Sequence, residues 1–170
     1  MRKQMGRLMA GATVAAVMAG VASYSQQQTE AAQSAPVNVS VTANVASNCV
    51  MTAGSVAFGA YDPLVANAST NLDQTGSVSV ACVKGTVANI GLGNGANYSS
   101  GRRMTNGTDF LTYDLYTTAG RTTVWDTTNR VGYTAASKAS TSLTIYGRVP
   151  SNQDVGAGSY TDTVVAQAEF

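Results

Sequence analysis

The chain has no histidine, only two cysteines and three prolines, and charged residues fill just 11% of its 170 positions. Without histidine there is no Ser-His-Asp triad, no Cys-His dyad and no histidine-ligated zinc. Two cysteines are too few for a structural zinc site. The charged fraction is far below the roughly 25% of ordinary soluble domains. The polar surface must therefore be built from Thr, Ser, Asn and Gln. A formal net charge of +1 offers no basic face for nucleic acid. What is present is 44% hydrophobic residues, enough for a core and against wholesale disorder. The length fits one domain, or one domain behind a leader.

The first residues carry the pattern of an export signal. Arg2, Lys3 and Arg7 form a positive start, and residues 8–22 form an apolar run. Gly20, Val21, Ala22 and Ser23 then supply small residues suited to cleavage. The run is about 15 residues, short of the ~20 needed to span a bilayer. Residues 1–23 are therefore expected to be a signal peptide. Three of the ten basic residues lie in it and none of the nine acidic ones, so the remainder carries seven against nine, a net of −2. In an exported chain, Cys49 and Cys82 favour one disulfide. It would close a loop of roughly 30 residues and contribute on the order of 3–4 kcal/mol. The alternative, two free redox thiols, lacks a Cys-x-x-Cys spacing.

Residues 24–36 are polar, Gln-rich and small, and read as a flexible lead-in ending at Pro36. From residue 37 the pattern turns to strict alternation. Val37, Val39, Val41, Ala43 and Val45 share one face, with Asn38, Ser40, Thr42 and Asn44 on the other. That period of 2 predicts a half-buried strand. Further strands are expected over 77–83, 87–92, 108–117, 122–125, 141–149 and 159–170. In the last, Tyr160, Val164, Ala166, Ala168 and Phe170 share a face. Gly, Asn, Asp and Ser clusters separate these runs, and no ten-residue segment after the leader has helical periodicity. Many short strands with turns between them indicate a β-sandwich.

Several motifs have plainer readings than chemistry. Gly91-Leu92-Gly93-Asn94-Gly95 has neither G-x-G-x-x-G spacing nor a following Lys-Ser/Thr, and is expected to be a turn. Asp109 and Asp114, five apart on one strand, point to opposite faces and cannot form a glycosidase pair. No catalytic, metal-binding or cofactor-binding set is recognised, and the chain is not expected to be an enzyme. Arg102 and Arg103 are too short a basic step for nucleic acid, and suit the surface or packing of one Arg stem over an aromatic. Trp125, Tyr113 and Tyr116 are expected in the core or at its rim, the alternative being a sugar-binding platform. Four Asn-x-Ser/Thr sequons begin at Asn38, Asn67, Asn97 and Asn106, and matter only in a glycosylating host.

Taken in order, a set of residues is more specific than any single motif. It runs Phe58-Gly59-Ala60-Tyr61-Asp62-Pro63, then a Gly-x-Val-x-Val-x-Cys run from Gly76 to Cys82, then Arg103-Met104. Next come Leu111-Thr112-Tyr113-Asp114-Leu115-Tyr116, Trp125, and Tyr146-Gly147-Arg148-Val149-Pro150 with Gln153. It ends on Gly158-Ser159-Tyr160-Thr161-Asp162-Thr163-Val164 and a terminal Phe170. This set resembles the spore coat protein U domain family, which includes pilin subunits of archaic chaperone–usher pili, over about residues 37–170. The resemblance implies an incomplete immunoglobulin-like β-sandwich, one strand short, with a hydrophobic groove beside the C-terminal strand. The resemblance further implies that a periplasmic chaperone fills that groove first, and that at an outer-membrane usher the N-terminal strand of the next subunit is expected to replace it.

On that scheme residues 37–46 are the candidate donor strand, with Val37, Val39, Val41 and Val45 as its knobs. Tyr160, Val164, Ala166, Ala168 and Phe170 line the acceptor side. The alternative is that 37–45 pairs within its own domain. Head-to-tail insertion does not close, so it builds a filament of identical or related subunits. The expected product is an exported surface pilus supporting adhesion and biofilm formation. The alternatives are a spore-coat or envelope protein of the same fold, and a carbohydrate-binding module. No nucleic acid or small-molecule substrate is expected as a partner.

Overall fold

A computed structural model describes residues 31–52 and 54–170. The proposed signal peptide and most of the lead-in lie outside the described residues. The chain divides into two units, Met1–Thr42 and Ala43–Phe170. In the first, described residues 31–42 have no regular secondary structure and are exposed.

The second unit holds nine strands and, among the described residues, no helix. They are β1 (Cys49–Thr52), β2 (Leu72–Cys82), β3 (Val87–Leu92), β4 (Arg103–Thr105), β5 (Phe110–Thr112), β6 (Asp114–Tyr116), β7 (Val131–Thr134), β8 (Thr141–Val149) and β9 (Ala166–Glu169). One sheet has the order β1-β2-β8-β6, a second β7-β3-β9, and β4 and β5 form a two-stranded sheet. All the strand pairings are antiparallel.

Alternation decides what faces the core. Val78, Val80 and Cys82 point inward from β2, Ala88, Ile90 and Leu92 from β3, and Ile145 and Val149 from β8. Each fully buried Val, Ile or Leu contributes roughly 1.5–3 kcal/mol by leaving water. Trp125 is 0% exposed and joins the sheets. Its backbone N–H donates to Leu115 O at 2.8 Å, and its indole Nε1 donates to Ile90 O at 2.8 Å. Burial rules out a sugar platform on Trp125 and Tyr113, which is 6% exposed.

Some expected strands differ. Residues 37–45 form no strand, and Val37, Val39, Val41 and Val45 are 84%, 80%, 89% and 76% exposed. The half-buried strand expected there is not formed within this chain, because alternation creates an apolar face but not the edge that covers it. The run 108–117 breaks into β5 and β6 at Tyr113, whose N–H donates to Arg102 O at 3.0 Å. The break lets β5 pair with β4 while β6 pairs with β8. At 122–125 only a single bridge, Tyr116 to Val124, remains. At 159–170 the strand is confined to β9, with Thr161 bridging Thr105. Alternation did not flag β1, β4 or β7, which are four residues or fewer.

Arg102 corrects the surface expectation for that residue. It is 2% exposed, and its guanidinium donates to Leu92 O, Gly93 O and Trp125 O. Desolvation lowers its pKa, but a guanidinium keeps its charge at neutral pH. Arg103 packs as anticipated, its guanidinium carbon 3.8 Å from the Phe110 ring centroid.

Candidate functional site: an open groove

β1 is the end strand of the four-stranded sheet, and β9 is the end strand of the three-stranded one. Between these edges lies a groove of about 580 Å³. Met51, Val56, Phe58, Val78, Leu115 and Ile145 form its floor and one wall, and Tyr160, Val164 and Ala166 the other. A second cavity of about 720 Å³ shares Val56, Phe58, Met104 and Tyr160 with it and reaches Pro63 and Leu64. The two form one trench, with residues 51, 52 and 54–64 on one side and 155–166 on the other.

The C-terminal wall is pinned on its inner edge only. Gly93 N–H donates to Val165 O at 2.7 Å, and Ala96 N–H to Thr163 O at 3.0 Å. Thr161 exchanges two bonds of 3.0 Å with Thr105. Backbone direction alternates along a strand, so the N–H and C=O groups of Val164, Ala166 and Ala168 point the other way, to the open edge. An unpaired strand edge above an apolar floor is a template for a further strand.

Side-chain bonds hold the trench in shape. Asp162 accepts the Tyr113 hydroxyl at 2.7 Å on Oδ2. Its Oδ1 accepts Ala96 N–H at 2.9 Å, Asn97 N–H at 3.1 Å and Asn97 Nδ2 at 3.1 Å. Burial, then the bond to this carboxylate, pushes the Tyr113 phenol well above its ordinary value. Gly95 has φ +91° and a Cβ there would lie 2.1 Å from Asp162 Oδ2, so the turn needs glycine twice over. Across the trench, Tyr61 donates to Pro150 O at 2.9 Å and accepts Gln153 N–H at 3.0 Å. Gln153 in turn bonds Thr112 through both ends of its amide. Phe58 meets Tyr113 edge-on at 6.0 Å and lies over Gly147.

The anticipated site residues divide as follows. Cys49 and Cys82 form a disulfide, at directly opposed positions of β1 and β2. It clamps one wall of the groove to the sheet. Tyr160, Val164, Ala166 and Ala168 are half-buried against the core. Phe170 is 57% exposed and, like Ala168, lines neither cavity. It lies past the last ladder pair, Asn89 with Glu169, where the sheet no longer covers it. Sequence reasoning missed Met51, Met104 and the Tyr113–Asp162 bond. Met104, Tyr113 and Asp162 all stand in the ordered motif set, and Tyr113 was also expected in the core or at its rim, but neither signal pairs Tyr113 with Asp162. Among the described residues no group of three or more His, Cys, Asp or Glu gathers to hold a metal.

The model of the Spore Coat Protein U domain matches residues 33–167. The chain is 38% identical over 173 aligned positions to Protein U of Myxococcus xanthus, covering 92% of this chain and 96% of that protein. Among solved structures, it is similar to a chain of the CsuC–CsuE chaperone–tip adhesion subunit pre-assembly complex from archaic chaperone-usher Csu pili of Acinetobacter baumannii. The TM-score is 0.55 at 22% identity, over 74% of this chain and 40% of that one. At that identity the likeness concerns the fold, and the chain spans less than half of the solved chain's length.

Proposed function

The chain belongs to the Spore Coat Protein U domain family, and we propose that it is a structural subunit of a surface pilus, polymerised by strand donation from copy to copy. One observation carries this reading: an apolar trench between two open strand edges, in a chain whose alternating valines at 37–45 are exposed. Those nine residues span about 30 Å when extended. Val37, Val39, Val41 and Val45 are the knobs, and Val164, Ala166 and Ala168 offer the backbone groups that receive the strand.

A trench open to water needs cover before assembly. A periplasmic chaperone holds it, and an outer-membrane usher exchanges the chaperone for the next subunit. Residues 1–23 serve as the export signal and 24–36 as the tether. Adhesion and biofilm formation belong to the assembled fibre, and the subunit performs no catalysis. Deleting residues 36–46 is expected to leave a subunit that binds its chaperone and builds no fibre. Fibres of normal length from the deletion overturn the reading.

A second reading, assembly into a spore or envelope coat, is favoured by the family's description and by the near full-length match to Protein U. Electron microscopy separates the two: fibres favour the pilus, and a continuous layer without fibres favours the coat.

A further inference from the structure

Strand donation leaves the two ends of the domain without a role, and their chemistry is complementary. At one end the chain enters through Asn48, whose carbonyl accepts Val83 N–H at 2.9 Å. Bonds of Gly85 N–H to Ala135 O at 2.8 Å and of Ala135 N–H to Thr86 O at 3.0 Å tie the neighbouring turns together. Exposed Lys84 and Lys138 therefore share this end. Val87 and Phe170, 63% and 57% exposed, lie beside them at the tips of β3 and β9.

The opposite end is acidic and apolar. Asn152 N–H donates to Asn67 O at 2.9 Å and joins the 62–67 turn to the 150–154 loop. The Asp62 carboxylate accepts Leu64 N–H at 2.9 Å and Val65 N–H at 3.1 Å, which fixes a turn whose tip presents Leu64 and Val65 at 87% and 78% exposure. Asp154 is exposed in the adjoining loop. Among the described residues the ion pairs are Arg121 and Arg148 with Asp73, and Arg130 with Glu169. Neither lysine, nor Asp62, nor Asp154 is neutralised.

We propose that these ends dock on each other between successive copies of this chain, Lys84 and Lys138 of one copy against Asp154 and the Leu64 and Val65 tip of the next. The proposal rests on strand donation and adds an interface to it. Its geometric basis is the spacer. Only Ala46 and Ser47 separate Val45 from the anchored Asn48, a reach of at most about 11 Å. Wherever the donated strand leaves a neighbour's trench, the lysine end must follow within that distance. One exit lies beside Ala168 and Cys49 and sets lysines against lysines. The other lies past Tyr160, where the second cavity reaches Pro63 and Leu64, and sets lysines against the acidic end. Like-charge juxtaposition disfavours the first exit, and both charge and apolar contact favour the second.

The test is zero-length carbodiimide coupling on fibres of the full chain, followed by digestion and mass spectrometry. The expected product is an amide between Lys84 or Lys138 and Asp154 or Asp62. The ends are separated by the eleven residues of β2, roughly 35 Å, so such a link joins two copies. Fibres in which neither lysine couples to either acid, or in which a short amine-to-amine reagent joins lysines of two copies instead, overturn the docking and leave strand donation standing. If the unaltered chain makes no fibre, strand donation itself falls, and the docking with it. As a second arm, Lys84→Glu with Lys138→Glu is expected to lower fibre yield about tenfold, and adding Asp154→Lys to restore most of it. Unchanged yield in the doubly reversed variant also overturns the docking.

Discussion

Breaking the Cys49–Cys82 disulfide is the perturbation whose size follows most directly from the fold. The bond joins residues 33 apart in sequence and ties β1 to β2, the strand with which β1 pairs. In the chain-entropy model, opening a loop of that length frees the unfolded state and removes about 3–4 kcal/mol of stability. That is a large part of the ~5–15 kcal/mol that holds an ordinary domain together. It corresponds to a loss of roughly 10 °C in melting temperature. Trp125 is the single tryptophan and is 0% exposed, so its fluorescence reports global unfolding without a label. Urea titration of Cys49→Ser with Cys82→Ser, beside the oxidised protein, is expected to show that loss. A reduction-insensitive midpoint, within about 1 kcal/mol of the oxidised protein, would refute the view that β1 is held by the bond and not by its packing.

The other predictions concern the trench. In Gly147→Ala the new Cβ falls 2.7 Å from Phe58 Cζ and 2.9 Å from Val56 Cγ1; calorimetry is expected to show a loss of about 1–3 kcal/mol from overpacking. Tyr113→Phe removes a bond to a charged carboxylate and is expected to cost about 1.5–3 kcal/mol at neutral pH. The same residue sets an alkaline limit. Its phenol is raised in the fold from an ordinary 10.0, so above about pH 10 the unfolded chain releases a proton that the fold retains, and stability declines as pH rises. Unfolding free energies measured across that window are expected to slope less in Tyr113→Phe than in the unaltered chain. Val41→Asp forfeits roughly 1.5–3 kcal/mol of burial and places an unpaired carboxylate in an apolar trench at several kcal/mol more. Fibre formation is then expected to fall at least a hundredfold, with the chaperone-bound subunit unaffected.

Local pattern carried most of the strands. Alternation in 77–83 and 141–149 identified the cores of β2 and β8, because facing alternates whatever the partner, and a short apolar run at 87–92 identified β3. Short strands were not legible. Met51 and Met104 lie on β1 and β4, which have four and three residues and too few positions for a period. The run 108–117 looked continuous because its alternation survives the break, while the change of sheet at Tyr113 depends on β4 and β8.

Composition alone determined that this protein has no histidine chemistry, that its strands are made of Val, Thr, Ser and Ala, and that two cysteines were available to pair. The tertiary structure decided which edges stay open. Asp162 meets Tyr113 across 49 positions, Tyr61 meets Pro150 across 89, and Arg102 is buried by carbonyls from β3 and Trp125. Such contacts depend on sheet order and register, which are collective outcomes of the whole core and leave no periodic trace in any one segment. The same reason explains the valines at 37–45: their alternation is local and plain to read, but whether a strand forms depends on pairing with an edge, and in this fold they pair with none.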